Sequence, residues 1–151
     1  MDNDFDRNKL VKWLKLSSVR GLGPKKILHL FNCFENIDEL FSAPAESLLD
    51  TRVFTVEIIK DFERVKSTSD DYYNKAIDYC EKQGIQVIPL LDKQYPLKLF
   101  EISSPPCTIF LWGDEALLKA RKSFAIVGSR KANEAAHKFA AFESALSDLG
   151  V

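Results

Sequence analysis

The stretch Ser123-Phe124-Ala125-Ile126-Val127-Gly128-Ser129-Arg130-Lys131 most narrows what this chain can fold into. Phe124 to Val127 are apolar and two of them are β-branched, the pattern of a short buried strand. Gly128 ends the strand, and an apolar stripe of helical period follows Asn133. A strand, a tight turn and a helix in this order belong to an α/β sheet. The turn lies beyond the strand's carboxyl end, where such sheets present their ligand sites and where helix N–H groups and the positive end of the helix dipole favour an anion. Arg130 and Lys131 stand at the same corner. The expectation is a phosphate-binding turn at Gly128, Ser129, Arg130 and Lys131.

The 151 residues are 46% hydrophobic and 28% charged, enough apolar material for one globular domain or two small ones. No apolar run reaches the length of a membrane span, and Met1-Asp2-Asn3-Asp4 is unlike a signal peptide, so a cytoplasmic protein is expected. Cys33, Cys80 and Cys107 are too widely spaced for a zinc motif, and no metal or cofactor is expected. A formal net charge of -1 gives no general attraction for polyanions, yet the charges are clustered. Arg7, Lys9, Lys12, Lys15, Arg20, Lys25 and Lys26 fall in a stretch without acidic residues. Lys119, Arg121, Lys122, Arg130 and Lys131 fall in another.

Helical periodicity dominates the first part of the chain. Leu10, Trp13 and Leu14 stripe a first helix from about Arg7 to Ser17. Gly21 and Gly23 then allow a tight turn with positive φ, Pro24 suits a helix's first position, and Ile27, Leu30, Phe31 and Phe34 carry the next buried face. This is the pattern of a helix-hairpin-helix. Such a hairpin either aims backbone N–H groups at a DNA phosphate, with Lys25 and Lys26 adding charge, or serves as a compact corner of a helical domain. Asn36 with Glu39 gives a capping box, Pro44 opens another helix, and Thr55 to Lys66 forms one more with Ile58, Ile59, Phe62 and Val65 inward. The polar run Ser67 to Asp71 marks a boundary, dividing a helical domain at 1–68 from an α/β domain at 69–151.

Beyond it Tyr73, Ala76, Ile77 and Cys80 stripe a helix that stops at Gly84, and Ile85 to Ile88 start a strand. Tyr95-Pro96 opens a short apolar segment, Pro105-Pro106 interrupts it, and Thr108 to Trp112 form the next strand before Gly113. Ala116 to Ala120 suit a helical turn, and Asn133 to Leu149 a final helix. His29 and His137 are expected at surface or core-edge positions. Trp13 fits packing, and Trp112 fits packing or base stacking.

Tyr95-Pro96, the Pro105-Pro106 pair before a strand ending in Gly113, and Ala125-Ile126-Val127-Gly128-Ser129-Arg130 together resemble the DNA-processing protein A family, also called DprA or Smf. The resemblance runs from about Leu10 through nearly the whole chain. It implies a SAM-like helical domain followed by an extended Rossmann-like α/β fold, and often a C-terminal winged helix. It also implies a function without catalysis, in which single-stranded DNA is bound and the RecA recombinase is loaded on it during natural transformation; a homodimer is a further possible partner state. Gly128, Ser129 and Arg130 fall in the family's phosphate-contacting turn, with Lys131 as a helper, and Gly21, Gly23, Lys25 and Lys26 form a second candidate contact. The chain departs from the family at Asn133, Ala135 and Ala136, where a small hydroxyl residue and Tyr-Gly are usual. It also stops at Val151, before the next strand, so the sequence is expected to be a truncated part of the fold.

Two alternatives stand beside this expectation. A Rossmann-type nucleotide-binding enzyme would use the same corner, although Gly128 to Asn133 lacks the GxGxxG fingerprint. An incomplete fragment would have no independent activity, because a pocket built from several strand ends cannot be assembled from one.

Overall fold

A computed structural model describes residues 7–119 together with Lys131, Asn133, Glu134 and Lys138. The elements run α1 (Arg7–Ser17), α2 (Pro24–Leu30), α3 (Ile37–Ser42), α4 (Ala45–Asp50), α5 (Val56–Ser67), α6 (Asp71–Lys82), β1 (Ile85–Pro89), α7 (Leu97–Phe100) and β2 (Thr108–Trp112), and a 3-10 turn follows at Glu115–Lys119. Two compact units meet in sequence at Glu115 and Ala116, and α1 to β2 lie in the first. The described chain is thus mostly helical with a small sheet. The expected strand at Phe124–Val127 lies outside the described residues. Of the expected last helix, Glu134 and Lys138 are helical and pair across one turn at 3.0 Å.

α1 is the axis of the first unit, packing against α3, α5, α6 and both strands. Its sequence allows this because apolar residues widen beyond one stripe. Trp13 and Leu16 are buried, and Trp13 stacks on Phe31 with ring centroids 5.0 Å apart. Val11, with Leu10 and Leu14 beside it, meets Tyr73 and Ile77 of α6. The helical core is closed by Ile27, Leu30, Leu40, Leu48 and Phe62, all without exposed surface, and Phe41 and Phe54 each meet Phe62 in a T-shaped ring contact.

The caps follow local chemistry. The Asn36 side chain accepts from the N–H groups of Asp38 and Glu39, while the Glu39 carboxylate accepts from the N–H of Glu35 at 2.6 Å, one residue earlier than a standard capping box. Thr55 caps α5. Gln83 is the C-cap of α6, and Gly84, at φ +66°, turns the chain into β1. Three burial expectations shift: Ala76 is exposed and Ile59 half-buried, each at the edge of its helix's apolar stripe, and Phe31, just past the end of α2, is half-buried.

β1 and β2 pair antiparallel, with Ile85 opposite Trp112 and Pro89 opposite Thr108. The connection between them carries the two proline motifs. Pro96 caps α7, Pro105 is fully buried, and the buried Tyr95 donates its hydroxyl to the Pro106 carbonyl at 2.8 Å. Leu90 extends the pairing by donating to the Cys107 carbonyl at 2.9 Å. Burial pushes the Cys107 thiol up to about 11, so it stays a neutral thiol of the core at ordinary pH. Cys33 is exposed, and none of the three cysteines is in a disulfide.

One polar group sits deep in this packing. Lys15 of α1 is 5% exposed, and its ammonium donates to the carbonyls of Thr68 at 2.7 Å and Lys66 at 3.1 Å and pairs with Asp70. It therefore satisfies the last carbonyls of α5, at the negative end of that helix dipole, and fixes the start of α6. Removing the ammonium in Lys15→Met is expected to destabilise the fold by about 2–3 kcal/mol, the range for lost hydrogen bonds to a charged donor. Asp70→Asn is expected to cost less than about 1 kcal/mol, since the Asp70 side chain is 56% exposed. Denaturant unfolding of both variants checks the order.

Candidate nucleic-acid interface

The hairpin begins where α1 stops. The hydroxyls of Ser17 and Ser18 bond back to the carbonyls of Trp13 and Leu14, and the Val19 and Leu22 N–H groups close successive turns. Gly21 then takes φ +79°, and a Cβ there would stand 3.3 Å from Ile58 Cγ1, so both conformation and space call for glycine. Leu22 turns inward and is buried. Gly23 differs from the sequence expectation: its φ is −76°, and a Cβ would meet nothing within 4 Å. Only the first of the two glycines in this turn needs the left-handed region. Gly23 is the N-cap of α2 and Pro24 its first residue, and no side chain caps the turn.

The hairpin is held to α5 by Asp61. Its carboxylate accepts from the Arg20 backbone N–H at 2.7 Å and from the Arg64 guanidinium at 2.8 and 2.9 Å. These bonds, the Arg20 N–H foremost, hold the Asp61 carboxyl below its usual range.

The basic residues that cluster in sequence separate in space. Arg7 pairs with Asp78 and Glu81 of α6, Lys12 with Asp38, and Lys15 is enclosed as described. Lys26 bends back to the Gly21 carbonyl at 2.9 Å and so stabilises the turn, while Lys25 is exposed beside it. Of the expected hairpin contacts, Gly21 and Lys26 thus hold the turn itself, and Gly23 and Lys25 are left at the surface. Spacing alone could not separate these roles, because acidic partners such as Asp78 lie far along the chain.

A shallow hollow of about 510 Å³ opens next to Gly23 and Pro24, and Tyr72, Phe110 and Thr108 reach it from α6 and β2. Tyr72 and Phe110 are 74% and 58% exposed. Trp13 is the packed tryptophan that its period suggested, whereas Trp112 is 81% exposed. His29 lies at the surface; His137 lies outside the described residues. So do Gly128, Ser129 and Arg130 of the expected phosphate corner, of which Lys131 is described and exposed. Among the described residues no group of His, Cys, Asp and Glu side chains could hold a metal, and no helix is long and apolar enough to cross a membrane.

Residues 86–150 match the family model of DNA recombination-mediator protein A. The DNA processing protein DprA of Bacillus subtilis strain 168 is 36% identical over 69 residues. Over residues 86–150 the chain is similar to the recombination-mediator protein A family. The alignment with the Bacillus protein covers 44% of this chain and 23% of that relative, so the chain spans well under two thirds of the protein it matches. No solved structure matches the chain. The matched segment starts within β1, includes α7 and β2, and contains residues Gly128 to Lys131; α1 to α6 precede it.

Two tests probe the hairpin. Gly21→Ala is expected to cost about 1–3 kcal/mol from left-handed strain, and Gly23→Ala less than about 1 kcal/mol as an N-cap change, measured by thermal unfolding. The low folded-state pKa of Asp61 contributes stability that is present above its unfolded value, near pH 4 for a carboxyl of this type, and is lost as pH falls through the folded value. Asp61→Asn should flatten the acid limb of a plot of melting temperature against pH below about pH 4 while leaving its slope near neutrality unchanged.

Proposed function

We propose that this chain is the N-terminal portion of a single-stranded DNA-binding recombination mediator, one that loads RecA recombinase on incoming DNA during natural transformation. The match of residues 86–150 to the recombination-mediator family carries this reading, since it includes the Gly128-Ser129-Arg130-Lys131 corner. In the proposal, α6, β1 and β2 begin an extended Rossmann-like fold, and the corner is the turn after its next strand. The Arg130 guanidinium would fork onto a backbone phosphate, with backbone N–H groups of the turn and Lys131 completing the contact. Such contacts hold the strand by charge and geometry without reading sequence, as a loading factor requires. The activity is binding and handover in the cytoplasm, with no bond made or broken; RecA and a second copy of the protein are its proposed protein partners. The helix-hairpin-helix turn, through Gly23 and Lys25, adds a secondary phosphate contact.

Arg130→Ala is expected to weaken oligonucleotide binding and to make the logarithmic salt slope shallower by about 0.7 for each phosphate no longer neutralised. Fluorescence anisotropy across a salt series reads both. Unchanged affinity and slope would remove Arg130 from the site, and saturable mononucleotide binding without oligonucleotide binding would favour a nucleotide enzyme instead.

A further inference from the structure

α6 divides its charges between two flanks. Asp78 and Glu81 lie on the side of α1, where Arg7 pairs with both and also bonds to the Asn74 side chain. Asp71 sits in the first turn, where a carboxylate complements the helix dipole. Tyr72, Lys75, Tyr79 and Lys82, at i, i+3, i+7 and i+10, form a neighbouring exposed stripe, with the tyrosines on the flank turned away from Arg7 and the lysines between them and Asp78. Tyr72 and Tyr79 keep 74% and 62% of their surface in solvent. On β2, Phe110 and Trp112 are alternate residues and so project from one face of the strand, at 58% and 81% exposure. Phe110 lines the same hollow as Tyr72, next to Gly23 and Pro24 of the hairpin, so the strand face adjoins the helix stripe at its Tyr72 end.

We infer that this surface is a second docking track for single-stranded nucleic acid, in which Tyr72, Tyr79, Phe110 and Trp112 stack on bases and Lys75 and Lys82 meet the phosphates. The inference rests on the DNA-binding reading above and adds to it a site distant in sequence from Arg130. The chemistry selects the ligand. Aromatic faces at the surface can stack only on bases that are not already stacked in a duplex, and stacking tolerates any sequence. Asp71 lies one turn before Lys75, and Asp78, between the two lysines, is neutralised by Arg7, so Lys75 and Lys82 leave the stripe with an excess of positive charge that suits a polyanion. A second copy of the chain is the poorer occupant, because protein interfaces are depleted of lysine at their centres.

The two tryptophans make the test direct. Trp13 is 3% exposed and stacked on Phe31, so a change in tryptophan emission on adding oligothymidylate reports Trp112. Saturable quenching is expected, abolished in Trp112→Phe and undisturbed by duplex competitor. Tyr79→Ala, and separately Tyr72→Ala, should weaken binding about fivefold or more, the lower end of the measured range for one stacked base. Lys75→Ala with Lys82→Ala should flatten the salt slope by about 0.7 for each phosphate that the lysines had neutralised. All four positions are exposed, and circular dichroism checks that each variant is folded. If Arg130→Ala abolishes binding while the stripe variants bind as the parent does and Trp112 emission stays constant, the track is wrong and the DNA reading stands. If the parent binds no oligonucleotide, the DNA reading fails and the track with it. Conversion of a dimer to a monomer by the tyrosine substitutions, with DNA affinity intact, would make this face a subunit interface and overturn the inference.

Discussion

The buried ammonium of Lys15 joins three helices, α1, α5 and α6, at one point in the core. It stands on the central helix, closes the carbonyl end of α5 and pairs with Asp70 at the N-terminus of α6. Taking a cation out of water costs several kcal/mol unless its hydrogen bonds are replaced, and here two carbonyls and a carboxylate replace them. The Tyr73 ring lies 5.8 Å from the same nitrogen. Asp70 is the N-cap residue of α6, yet its side chain makes no cap bond; the Ser69 hydroxyl instead accepts from the Asp71 N–H at 3.2 Å. The orientation of α6 therefore depends on α1, and that orientation decides which flank of α6 faces solvent.

The same division of labour runs through the charged residues. A lysine or arginine near a turn is a DNA contact only if no carboxylate or carbonyl already holds it. Arg7 is engaged by Asp78 and Glu81, Lys12 by Asp38 and Lys26 by the Gly21 carbonyl. By pairing with Asp78 and Glu81, Arg7 neutralises two of the acids of α6, and Lys75 and Lys82 stand beside the exposed tyrosines with Asp71 one turn before them. Structural pairing by Arg7 thus lowers the negative charge beside the exposed aromatic residues.

Much of the helical layout was legible because it is written in local chemistry. The stripe of α1, the Asn36 cap, the Thr55 cap and the Gly84 stop each depend on residues within a few positions, and the helices begin and end where those residues place them. The strands at Ile85 and Thr108 were visible from their apolar runs, but their antiparallel pairing was not, because register depends on a connection held by Tyr95, Pro105 and Pro106. Of the seven-residue basic cluster, Arg7, Lys12 and Lys15 are taken up by ion pairs whose acids lie up to 74 positions away. Lys15 illustrates the limit: its spacing suits a solvated helix face, and only the folded chain brings Lys66, Thr68 and Asp70 around it. The exposed stripe on α6 had a sequence signal in the alternation of Tyr72, Lys75, Tyr79 and Lys82, hidden because Tyr73, Ile77 and Cys80 dominate the same helix's apolar period.

Single-stranded nucleic acid held at the Gly128 to Lys131 corner and along the face shared by α6 and β2 would leave a footprint in backbone amide exchange. Hydrogen–deuterium exchange with and without oligothymidylate reads that footprint along the whole chain without altering a residue. Slowed exchange is expected in the peptides spanning Gly128–Lys131, Tyr72–Lys82 and Phe110–Trp112, with α3 and α4 unchanged. Exchange indifferent to DNA, or protection confined to α3 and α4, would contradict binding at these surfaces.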